Sequence, residues 1–84
     1  MINYNFQEDE IKTGRIKWFC SDKGYGFIDQ DDEGPDVFVH YSAIEMAGYR
    51  SLTQGDNVSY RITRGDKGLL AQDVQKLDNL KQGA

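Results

Sequence analysis

The chain has one cysteine and one proline in 84 residues, and no apolar run long enough to span a membrane as a helix. Cys20 has no second cysteine to pair with, which excludes an internal disulfide. Beside a lone histidine it also leaves no cysteine cluster for zinc, so the chain reads as intracellular, metal-free and without a cofactor. The N-terminal stretch MINYNFQEDE lacks the basic start and apolar run of a signal peptide, which places the expected location in the cytoplasm with no membrane role. Internal repeats and low-complexity segments are absent as well. A chain of this length supports one domain with one small core, too little for a large enzyme cleft.

Basic charge is also scarce: the formal net charge is −4, which taken alone argues against a polyanionic partner. The distribution argues otherwise. Glu8, Asp9 and Glu10 form one acidic block, and Asp29, Asp31, Asp32, Glu33 and Asp36 form another. With these eight acids set aside, the remaining ten bases outnumber the remaining six acids by four. Lys12, Arg15, Lys17 and Lys23 gather around the first aromatic cluster, with Arg50, Arg61, Arg64 and Lys67 further on, so a local cationic patch is available.

What the chain does have is short alternating runs separated by turn residues. Residues 1–12 read as an acidic, flexible N-terminal arm, 13–77 as the domain and 78–84 as a frayed tail. TGRIKWFC reads as a first strand ended by SDKG, and Tyr25–Gln30 as a second. DDEGPD is a turn by composition and joins the second strand to Asp36–Tyr41 as an antiparallel hairpin. Ser42-x-x-Glu45 is a capping-box pattern that predicts one or two helical turns before Gly48. In Asn57–Arg64, Val58, Tyr60 and Ile62 alternate with polar residues as in a half-buried strand, and LLAQDVQKL makes a fifth. Five short strands with no helix of useful length predict an all-β, five-stranded antiparallel barrel, with Ile16, Ile28, Val37, Val39, Val58, Ile62 and Val74 as its core.

That core leaves aromatic residues unplaced. In KGYGFIDQDDEGPDVFVHY, Tyr25 and Phe27 share one strand face while Gly26 and Ile28 share the other; Phe38 and His40 likewise oppose Val37 and Val39. With Ile28, Val37 and Val39 inside, the four rings must face outward, and a large exposed apolar patch usually marks a binding site. Adjacent antiparallel strands would join them into one ring-covered surface with a cationic border. Nucleobases stack on such a surface whatever their identity, at roughly 1–3 kcal/mol per base. Duplex DNA hides its base faces, so the expected partner is single-stranded nucleic acid.

GRIKWFCSDKGYGFI, Gly14 to Ile28, and DVFVHYSAI, Asp36 to Ile44, resemble the cold-shock domain. Its two RNA-binding signatures are represented by Lys23-Gly24-Tyr25-Gly26-Phe27-Ile28 and Val37-Phe38-Val39-His40-Tyr41, and the similarity continues through GYRSLTQGDNVSYRI to cover about residues 13–76. The resemblance implies an OB-fold barrel acting in the cytoplasm on single-stranded RNA and ssDNA, as an RNA chaperone or antiterminator without catalytic activity. It implies a monomer with no obligate protein partner. It places Lys17, Trp18, Phe19, Lys23, Tyr25, Phe27, Phe38, His40, Tyr41 and Tyr49 at or beside the nucleic acid, with Arg15, Asp36, Arg50 and Lys67 as additional contacts. Strict alternation from Ile16 would turn Trp18 inward, so its place in that set requires a bulge or a strong twist near Lys17. Three features depart from the family pattern: Cys20 replaces a usual asparagine, Leu69 replaces a usual proline, and the acidic arm is additional.

Other chemistries are weakly represented. His40 has no nucleophile or acid in a triad-like pattern, so no catalytic residue is assigned. Gly24-x-Gly26 lacks the helix and Gly-Lys-Ser/Thr ending of a phosphate loop, and the acids 29–36 do not match an EF-hand. Cys20 reads as a small filler and Tyr60 as core. An RRM would need a strand, a helix and a strand before KGYGFI, and only twenty-two residues precede Lys23. The remaining alternative is a small β-barrel interaction module that grips a peptide with the same aromatics.

Overall fold

The period-two runs become strands in the computed structural model, which describes residues 7, 10–45, 51–66 and 68–77. These strands are β1 (Lys12–Cys20), β2 (Tyr25–Gln30), β3 (Val37–His40), β4 (Asn57–Gly65) and β5 (Gly68–Lys76). Three candidate contacts, Tyr49, Arg50 and Lys67, lie outside the described residues, as do Glu8, Asp9 and the segment 78–84.

The strands close into a barrel in the order β1-β2-β3-β5-β4, with β4 returning to β1. The first strand serves two neighbours: Lys12 to Arg15 pair with Tyr60 to Asn57 of β4, and Gly14 to Cys20 with Gln30 to Tyr25 of β2. All neighbours are antiparallel except β3 and β5, where Phe38 pairs with Leu70 in parallel. Five strands cannot alternate direction all the way round a closed ring. The antiparallel pattern expected of the barrel therefore gives way at this one seam, which an isolated parallel bridge between Ile44 and Val74 extends.

All seven aliphatic residues expected inside are buried. Tyr60 joins them, and so do Ile44, Leu52, Leu69 and Ala71, which complete one core. Ile44 and Leu52 lie outside the strands, where period-two alternation assigns no inward side. The Tyr60 hydroxyl faces the Thr13 carbonyl at 3.2 Å and Gln30 Oε1 at 3.1 Å, and Gln30 Nε2 donates to the Pro35 carbonyl at 2.9 Å. This buried chain of polar groups ties the acidic β2–β3 turn to the barrel wall, and it satisfies Gln30, which could not otherwise be buried cheaply.

Ser42-x-x-Glu45 does not cap an α-helix. A single 3₁₀ turn, Tyr41–Ala43, follows β3 and is capped by His40, whose Nδ1 accepts from the Ser42 backbone N–H. Glu45 is drawn to β5 instead, donating its N–H to the Val74 carbonyl at 2.7 Å and accepting from Gln75 Nε2 at 3.2 Å. Gly48, the expected stop, lies outside the described residues. Alternation in β5 slips at Asp73, which has φ 52° beside a register shift between Ser59 and Arg61. Arg61 donates to its carboxylate through Nε at 2.9 Å and through the guanidinium terminus. Those bonds, with a smaller contribution from Glu45, hold the Asp73 carboxyl below the ordinary aspartate range.

Candidate nucleic-acid interface

Strand register brings the outward rings together. Phe27 lies directly opposite Phe38, and Tyr25 opposite His40. Directly paired residues in an antiparallel ladder project from the same face, so each pair stands side by side. Ring centroids of Tyr25 and Phe38 are 5.6 Å apart, as are those of Phe27 and Phe38, within the range of favourable aromatic contact.

Trp18 joins this group through a bulge, the first of the two distortions its position allowed. The β1–β2 register passes from Ile16↔Ile28 to Trp18↔Phe27, so Lys17 is an extra residue and Trp18 turns to the outer face. Its ring is 5.5 Å from Phe27 and 5.8 Å from Tyr25, and 40% of its surface stays exposed. Gly26 permits the approach: a Cβ there would stand 2.1 Å from the Trp18 carbonyl oxygen and 2.7 Å from the Phe19 Cα. Beyond the bulge alternation resumes, which turns Phe19 inward. It is half-buried against the core and, alone among the described aromatics of the expected set, does not belong to the outer surface.

Two rows of side chains therefore cross the β1, β2 and β3 strands. One runs Trp18, Phe27, Phe38; the other runs Cys20, Tyr25, His40. Cys20 is half-buried at the end of the second row, on the ring-bearing face. Tyr41 extends that row, with its ring 4.6 Å from His40 and 46% of its surface exposed. Its backbone N–H donates to the Gly24 carbonyl at 2.8 Å, which ties the end of β3 to the turn carrying Lys23. Because His40 Nδ1 accepts from a backbone N–H, the neutral ring carries its proton on Nε2. His40 thus offers an N–H donor as well as a stacking face.

The cationic border is partly occupied by the protein's own acids. Lys17 Nζ is 2.8 Å from Asp36 Oδ2 and Lys12 Nζ is 2.7 Å from Asp32 Oδ2, while the Thr13 hydroxyl donates to Asp31 at 2.8 Å. The hydrogen bond from Lys17 to Asp36, and then the attraction between their charges, raise the lysine above its ordinary range. Sequence spacing gave no sign of these contacts, because the partners are nineteen and twenty residues apart and meet only once β1, β2 and β3 are paired. Arg15 and Lys23 are exposed without such a partner among the described residues, leaving two cations at the border. No group of three or more His, Cys, Asp or Glu side chains suited to a metal ion occurs among the described residues. None of their helices is long and apolar enough to cross a membrane.

A family model described as the "Cold-shock" DNA-binding domain matches residues 12–77. The cold shock-like protein CspA of Stigmatella aurantiaca is 54% identical over 67 residues, spanning 80% of this chain and 98% of that protein. Cold shock protein ScoF of Streptomyces coelicolor is 53% identical over 64 residues, spanning 76% of this chain and 96% of its own. Among solved structures, Drosophila Unr CSD456 shares the fold, with a TM-score of 0.68 at 19% identity over 82% of this chain and 27% of that one.

Proposed function

Because the chain belongs to the cold-shock DNA-binding domain family, and is a nucleic-acid binding protein of that type, we propose that its ligand is single-stranded RNA or ssDNA laid across the ring-covered face of β1, β2 and β3. The observation carrying this reading is the row Trp18, Phe27, Phe38 beside Tyr25 and His40: contiguous rings on one face, with Tyr41 at the edge. Each exposed ring accepts a base by stacking, Lys23 and Arg15 meet phosphates, and the His40 Nε2–H meets a base edge or a phosphate. Tyr49, Arg50 and Lys67 enter the proposal on the family resemblance alone.

The site proposed here performs no bond chemistry. Its effect on RNA is passive: a strand held by its bases cannot pair with another, so structured RNA is trapped melted without ATP, as an RNA chaperone or antiterminator requires. The protein acts as a monomer in the cytoplasm, without a cofactor. The binding domain in this reading is the family-matched stretch, residues 12–77.

Titration with short oligo-dT, oligo-rU and duplex DNA, followed by Trp18 fluorescence, tests the reading. Trp18 sits within 6 Å of two other rings of the face, so a stacked base must alter its emission. Saturable changes with both single strands and none with duplex are expected. Equal binding of the duplex, or a silent Trp18 at concentrations where binding is seen by another method, rejects base stacking on this face.

A further inference from the structure

The row Trp18, Phe27, Phe38 does not stop at β3. Phe38 pairs with Leu70 across the parallel seam, and paired residues in a parallel ladder also share a face, so Leu70 is its fourth member. Leu70 is half-buried and lies over Gly65, where a Cβ would approach its Cδ1 to 2.9 Å. Glycine at 65 is what lets this side chain lie flat against the β4–β5 turn.

Beyond Phe27 and Phe38 the surface falls into a cleft of about 550 Å³, floored by Leu69 and Leu70 and bounded by Asp36 and Asp66. It is continuous with the ring-covered face because Phe27 and Phe38 belong to both. The charged groups among its described lining residues are both carboxylates and the rest of the lining is mainly apolar, which suits a base rather than a phosphate. Asp36 is engaged by Lys17, whereas Asp66 is exposed and has no hydrogen-bond or ion-pair partner among the described residues.

Carboxylates only accept hydrogen bonds, and that selects among bases. Guanine carries two adjacent N–H donors on one edge, N1–H and the 2-amino group, which match the two oxygens of a carboxylate. Adenine and cytosine present one amino group beside a ring nitrogen whose lone pair repels a carboxylate, and uracil and thymine flank their single N–H with carbonyl oxygens. We propose that this cleft is a guanine-selective subsite at one end of the stacking surface, with the base on Phe38 and Leu70 and its Watson–Crick edge read by Asp66. The assignment rests on the stacking function proposed above and adds a base preference at a single strand position.

The test uses the full chain and a set of heptamers: oligo-dT, and oligo-dT with one dG placed at each position in turn. One position is expected to bind about tenfold tighter than the parent, within the range typical of a bidentate base contact. Inosine at that position lacks the 2-amino group and should lose most of the gain. Asp66→Ala should bring the dG-to-dT affinity ratio within about twofold at every position. Removing a negative charge strengthens binding to all strands together, so the ratio isolates edge recognition from general electrostatics. Circular dichroism, with retained affinity for oligo-dT, shows that the variant is folded. No dG position preferred by the wild type, a preference unmoved by inosine, or one surviving in Asp66→Ala overturns the subsite. Failure of every heptamer to bind the wild type would instead remove the stacking reading itself.

Discussion

Removing the charge of Asp36 should make this protein bind single strands more tightly, and more so at low salt. The carboxylate sits 2.8 Å from Lys17 Nζ beside the bulge that presents Trp18, so on the proposed reading it competes with a strand phosphate for that ammonium. In Asp36→Asn the ammonium collects a counterion instead, and binding releases it. Each added contact with single-stranded nucleic acid steepens the dependence of log affinity on log salt by about 0.7. Over a fourfold rise in salt, from about 50 to about 200 mM, that predicts a gain over wild type that shrinks by roughly 2.5-fold. Fluorescence titration of oligo-dT at four salt concentrations measures both the gain and the slope. Lys17→Ala should cost little in the wild type and should abolish the gain in the Asp36→Asn background, and that coupling identifies the pair as the source. Weaker binding by Asp36→Asn, or an unchanged slope, would mean that Asp36 contacts the strand directly rather than competing with it.

Phe38→Ala, at the junction of two ring contacts and the cleft, should weaken oligo-dT binding by about 1–3 kcal/mol, measured at fixed salt. The ring is half-buried, so a lower urea midpoint should accompany the loss. Tyr60→Phe leaves the barrel shape intact while removing the hydroxyl that faces Gln30 Oε1 and the Thr13 carbonyl; a cost of about 1–3 kcal/mol by urea unfolding is expected, with little change in affinity. Asp73→Asn keeps a residue tolerant of positive φ but removes the charge held by Arg61. Because the folded state lowers the Asp73 pKa, the stabilisation is present above the ordinary aspartate range and is lost as pH falls through the lowered value. The stability gap between wild type and Asp73→Asn should therefore be open at neutral pH and close on strong acidification, as followed by thermal unfolding across pH.

Much of this arrangement is legible in the sequence because the strands are short and the core is aliphatic. Placing Ile28, Val37 and Val39 inside leaves no alternative for Tyr25, Phe27, Phe38 and His40, and the register then pairs them. Trp18 is beyond that reasoning, since alternation cannot announce an inserted residue; the close approach of β1 to Gly26 that accompanies the bulge appears only in three dimensions. Phe19 is the reverse case: its motif places it with the binding residues, and the same bulge turns it toward the core. Ser42 and Glu45 have the spacing of a capping box, but β5 offers Glu45 a backbone carbonyl and Gln75, and His40 supplies the cap. The parallel seam follows from strand count once closure is granted. Its consequence, Leu70 in line with Phe38, depends on a register that neither strand encodes by itself.

The acidic balance of the chain and its polyanionic ligand are reconciled by where the acids lie. The Tyr60–Gln30–Pro35 hydrogen bonds hold the β2–β3 turn against the barrel, and from that turn Asp31, Asp32 and Asp36 reach Thr13, Lys12 and Lys17 on β1. Of these contacts, Lys17–Asp36 adjoins the rings without covering them. Under the proposed function the contacts reduce the number of phosphates the surface can engage and leave the stacking faces open, which would shift affinity from a salt-sensitive source to one that salt hardly touches. A surface built this way discriminates by base exposure more than by charge. Duplex and single strand both present phosphates to Lys23 and Arg15, but only an unpaired strand can set its bases against Trp18, Phe27 and Phe38. The internal ion pairs thus lower the background that any polyanion would contribute, and what remains selective is the row of rings.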